Sequence, residues 1–272
     1  LVGTGDVATG GDVIVSSGGS ATETGGAISV ASGLGTQTTS GMLSIRTANA
    51  GTNGVSGLIK FRSGTSSSGS SGAIYFESGS ATNGKAGDLV LSVGSGDTGI
   101  GGEITFTGGI TTAANQAGGH IQLNGGNGVS NTLGQGGDVV VNAGKGTANT
   151  GGAISLSSGT SGSTSSGAVA IRSADAGTAG SSGALVFKSG TSSSGTTGYL
   201  QIFTGSATNG KSGDVIISVG AGDTGSGGNV ALNAGTTTHA ATGGSVSLTA
   251  GSGTATSSGD ILLVPSNAGT KG

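Results

Sequence analysis

The chain has 272 residues, with 64 Gly, one Pro, no Cys, 8% charged residues and a formal net charge of −3. The lack of Cys excludes disulfides and thiolate sites, and the mild negative charge gives no basis for a nucleic-acid or anionic-membrane partner. No apolar run approaches the ~20 residues of a membrane helix, so membrane insertion is not expected.

Chains rich in Gly, Ser and Thr usually read as linkers. Here a strict pattern overrides that reading. The stretch Gly72-Ala73-Ile74-Tyr75-Phe76-Glu77-Ser78-Gly79 states it: an opening Gly, two large apolar residues separated by one variable residue, another variable residue, a small one, and Gly again. The frame occurs seventeen times, opening at Gly11, Gly26, Gly41, Gly57, Gly72, Gly87, Gly102, Gly119, Gly137, Gly152, Gly167, Gly183, Gly198, Gly213, Gly228, Gly244 and Gly259, at spacings of 15 to 18 residues. The chain begins with Leu1 rather than Met, which suggests an excised segment of something longer.

Counting the opening Gly as place one, places three and five are large and apolar in every frame. In chain order they include Ile28 and Val30, Ile59 and Phe61, Ile74 and Phe76, Leu89 and Leu91, and Ile104 and Phe106. The pattern continues with Val139 and Val141, Leu185 and Phe187, and Val215 and Ile217. A period of two with β-branched and aromatic bias predicts short strands with one apolar face. No window carries helical spacing.

One frame cannot fold alone. Two buried apolar side chains contribute about 1.5–3 kcal/mol each, while fixing a backbone costs roughly 1–2 kcal/mol per residue. Stacking of frames is the expected remedy. The expectation is therefore an all-β chain, a single parallel β-solenoid (β-helix) of seventeen coils, with a thin flattened core of two aliphatic ladders. With strands ~4.8 Å apart, such a rod is on the order of 80 Å long.

Between frames lie small-residue runs, such as Gly64-Thr65-Ser66-Ser67-Ser68-Gly69. Their glycines suit tight corners. A longer repeat overlies the frames. Ser63 to Gly69 recurs as Ser189 to Gly195, and Gly79 to Lys85 as Gly205 to Lys211, an offset of 126 residues or eight frames. Two related blocks of eight coils are expected, 11–136 and 137–262, in one continuous solenoid over 1–272. Residues 1–10 and 265–272 are expected to form ends or to continue into adjacent segments. The first and last frames are ordinary, which predicts open edges and end-to-end association with further copies.

Catalytic constellations are lacking. His120 sits at place two and His239 in a loop, so catalysis is not expected. Asp88 and Glu103 stand at place two of consecutive frames. Stacked acids can hold Ca²⁺ through oxygen ligands, or simply keep the chain solvated. The Gly-Lys pairs at Gly84-Lys85 and Gly210-Lys211 do not complete a phosphate loop before a helix. No other cofactor is indicated. Place four carries Ile14, Tyr75, Val90, Val140, Val186 and Ile216, and place two adds Tyr199. An outward apolar stripe marks a candidate lateral contact. Ser and Thr are abundant enough for O-glycans, and no N-glycosylation sequon is present.

These frames resemble the Gly/Ser/Thr-rich parallel β-solenoid repeats of large microbial or algal extracellular fibre and adhesin proteins. The resemblance covers nearly the whole chain. It implies a structural, non-enzymatic segment of an extracellular filament, stalk or surface fibre, acting by rigid extension and self-association. A second resemblance is to ice-binding β-solenoids, which present flat Thr/Ser arrays. Here Thr111-Thr112 and Thr236-Thr237-Thr238 are irregularly placed. A third, to polysaccharide-active β-helix enzymes, implies a groove with clustered acids and aromatics, for which large loops are lacking.

Overall fold

A computed structural model describes residues 10–130 and 132–265. The expected end segments lie outside these apart from Gly10 and Pro265. The chain divides into two units, Leu1–Val140 and Val141–Gly272.

The β-solenoid is not formed. Among the described residues there is no helix, no strand and no sheet, and none is buried. The reason lies in where the backbone bonds go. Outside regular elements they span the loop that joins one frame to the next: the Gly26 N–H donates to the Gly18 carbonyl at 2.9 Å, and the Gly41 N–H to the Gly33 carbonyl at 2.9 Å. A coil stacked on its neighbour would instead pair residues one full frame apart in repeated ladder bonds. At eight of the sixteen junctions a single bond closes the loop, and in every case the frame is left extended but unpaired. Two apolar side chains per frame then have no sheet to cover them.

The period of two survives as a graded shelter. From Ile28 to Ile261, place three is 43% (Ile59) to 60% (Leu200) exposed, whereas the large apolar residues of place four are 70% (Val186) to 82% (Tyr75) exposed. Over the same stretch place five, from 55% (Ile171) to 76% (Leu156), overlaps place four, so the shelter is consistent only at place three.

Each loop contains one bend near its middle, as at 21–23, 36–38 and 82–84. Ser and Thr hydroxyls shape several of these bends. Ser20 Oγ accepts from the Glu23 N–H at 2.9 Å, and Ser161 Oγ accepts from the Thr164 N–H at 2.9 Å. Asn83 and Asn209 take positive φ, 59° and 60°, a conformation that Asn adopts at low cost.

Candidate functional site

The most regular local geometry is the neck of each loop, where place one meets places seven and eight of the preceding frame. Place-one N–H groups donate to place-eight carbonyls from Gly26 to Gly18, Gly41 to Gly33, Gly119 to Gly109 and Gly137 to Gly126, at 2.8–2.9 Å. The same bond recurs from Gly152 to Gly144, Gly167 to Gly159, Gly244 to Gly235 and Gly259 to Gly251, at 2.9–3.0 Å. Ser17 adds a side-chain bond, its Oγ donating to the Gly26 carbonyl at 2.7 Å.

Close approach accounts for Gly at place one in several frames, though not at Gly72, Gly87 or Gly198, where a Cβ would make only ordinary contacts. A Cβ on Gly26 would stand 3.3 Å from the Ser17 Cβ, one on Gly57 3.1 Å from the Thr47 Cγ2, and one on Gly102 2.5 Å from the Val93 Cγ1. Place seven is small in most frames, with Val93 and Val219 as large exceptions. Thr47, Ser63, Gly108, Gly125, Ser158, Ser173 and Ala250, all at place seven, are among the few residues that are not fully exposed. Shelter is therefore greatest at the neck and not along the aliphatic places. The signal was present in the mostly small place seven, whose role the apolar pattern masks.

The two blocks share their local geometry. Gly69 and Gly195 both take positive φ, as do Gly99 and Gly225. Lys85 pairs with Asp88 at 2.8 Å, and Lys211 with Asp214 at 2.9 Å. Necks opening at Gly57, Gly72, Gly87 and Gly102 carry no backbone bond, nor do those at Gly183, Gly198, Gly213 and Gly228. Each block thus has bonded outer necks and four open inner ones.

The residues singled out in the sequence fall as follows. Phe61 and Phe76, place five of consecutive frames, meet edge to face with ring centroids 6.0 Å apart. The other ladder residues, Ile28, Val30, Ile59, Ile74, Leu89, Leu91, Ile104, Phe106, Val139, Val141, Leu185, Phe187, Val215 and Ile217, remain partly to largely solvent-exposed. Ile14, Tyr75, Val90, Val140, Val186, Tyr199 and Ile216 are all strongly exposed. Asp88 is engaged by Lys85, whereas Glu103 accepts from Thr105 Oγ1 at 2.7 Å. The two acids have separate partners, and among the described residues no group of three or more His, Asp or Glu converges. A shallow concavity lined by Arg46, Thr47, Ala48 and Asn49 opens beside one neck. It presents one cation and no acid or base opposite.

Among the described residues no helix is long and apolar enough to cross a membrane. No family model, no curated protein and no solved structure matches the chain.

Proposed function

We propose that this chain is a non-enzymatic structural repeat segment of an extracellular filament, stalk or surface fibre, and that it works by associating with further copies of itself. The observation that supports this reading is the uncovered apolar surface. The accessible area is 26658 Å², against about 10,000 Å² expected for a compact monomer of this length. Every frame contributes large apolar side chains to that excess. Exposed apolar surface on this scale marks a contact surface, and a specific protein contact needs only about 1,200–2,000 Å² in total.

The favoured occupant is a second copy, because the frames already meet one another within the chain at Phe61 and Phe76. Low charge and a net charge of −3 leave little repulsion to oppose such contacts. Electron microscopy of the concentrated chain tests the reading. Elongated multi-copy particles are expected, and particles of single-chain size at every concentration would overturn it.

A further inference from the structure

The eight-frame duplication bears on how two copies meet. The open inner necks recur at the same frames of both blocks. Each leaves a place-one N–H and a place-eight carbonyl without a backbone partner in its own chain, beside exposed apolar places three to five. Any surface that recognises the middle of one block therefore finds a second, similar target 126 residues along the same chain.

The charges discriminate between the ways of using those targets. With two copies side by side, parallel and in register, Lys60 faces Lys60, Glu77 faces Glu77 and Glu103 faces Glu103. With a displacement of one block, the residues opposite them are Val186, Phe203 and Asn229. Like charges directly opposite are destabilising, and displacement removes all three encounters. The charges that recur in both blocks, Asp12 with Asp138, Arg46 with Arg172, Arg62 with Lys188, Lys85 with Lys211, Asp88 with Asp214 and Asp97 with Asp223, meet like charge in either register and do not discriminate; among them Lys85–Asp88 and Lys211–Asp214 are already paired within the chain.

We infer that copies of this chain associate laterally with a stagger of one block, the first block of one copy on the second block of the next. Such a contact is heterologous. Each copy keeps one block free for a further copy, so assembly is not limited to pairs. The inference rests on the proposed self-association and adds its register.

The chain has no cysteine, so single introduced thiols report register directly. The full-length variants Tyr75→Cys and Gln201→Cys, one carrying a size tag, are mixed at equal concentration and joined by oxidation or by a short flexible bis-maleimide. The adduct linking position 75 to position 201 is expected to exceed the two same-site adducts together by about tenfold. A majority of same-site adducts, or a statistical mixture, would overturn the stagger while leaving self-association intact. Sedimentation of the same mixture as single chains would overturn self-association itself. In the triple variant Lys60→Ala, Glu77→Ala, Glu103→Ala, the preference for the mixed adduct is expected to fall toward the statistical value. An unchanged preference would remove the charges from the account.

Discussion

Phe61 and Phe76 meet edge to face across fifteen residues of sequence, with ring centroids 6.0 Å apart and planes at 81°. Place five of one frame is thereby in contact with place five of the next, although no sheet joins them. Such a pair contributes roughly 0.5–1.5 kcal/mol beyond the area it covers. In a double-mutant cycle of Phe61→Leu and Phe76→Leu, followed by urea unfolding of the assembled chain, a coupling of that size is expected. A coupling of zero contradicts the contact.

The necks make a sharper prediction. A Cβ on Gly108 would run into the Gly119 carbonyl, and one on Gly125 into the Gly137 carbonyl. Both obstacles are backbone and cannot rotate away. A Cβ on Gly198 would sit 3.9 Å from the Ser189 Cβ, an ordinary contact. Gly108→Ala and Gly125→Ala are expected to open their necks at a cost of about 1–3 kcal/mol, whereas Gly198→Ala leaves its neck in place. Amide hydrogen exchange reads this at Gly119 and Gly137, whose N–H groups donate across the neck at 2.8 Å. Faster exchange is expected at Gly119 in the first variant and at Gly137 in the second. Unchanged exchange in both refutes the neck.

Turn chemistry is testable at Asn83, with φ of 59°. Asn83→Gly is expected to be neutral within a few tenths of a kcal/mol, and Asn83→Val to cost roughly 1–2 kcal/mol. The same ordering is expected at Asn209, whose φ is 60°. Equal stability of the Val and Gly variants at either position contradicts the assigned turn.

The ion pairs are expected to matter little. Lys85 and Asp88 retain 80% and 69% side-chain exposure, and exposed pairs contribute about 0–1 kcal/mol. Lys85→Ala is expected to shift the urea midpoint barely, and sodium chloride to leave association nearly unchanged. Sulfate, which strengthens apolar burial, is expected to promote association. Association that dissolves in moderate sodium chloride would point to charge and not to the apolar frames.

Much of the local structure was legible in the sequence. The frame spacing, the bend in each loop and the lower exposure of place three relative to place four all follow from Gly placement and the period of two. The parallel β-solenoid does not follow, and the reason is specific. Alternation such as Ile59-Lys60-Phe61 states which side of an extended segment is apolar, but not which backbone it bonds. In this chain the place-one N–H of half the junctions turns to the near end of its own loop, as from Gly26 to Gly18, the rest have no backbone partner, and among the described residues no ladder to the next frame is made. The neck itself was concealed because its residues, such as Ser63 and Gly72, are small and carry no distinctive chemistry. The separate engagement of Asp88 and Glu103 was likewise beyond reach, since it depends on Lys85 and Thr105 rather than on the acids.

The central claim is that one chain alone leaves its apolar frames uncovered and that further copies cover them. Sedimentation velocity paired with binding of an apolar-surface dye, across a wide range of protein concentration, tests it most directly. The account predicts strong dye binding per chain when dilute, falling as particle mass rises with concentration. Constant single-chain mass with weak dye binding throughout would contradict it.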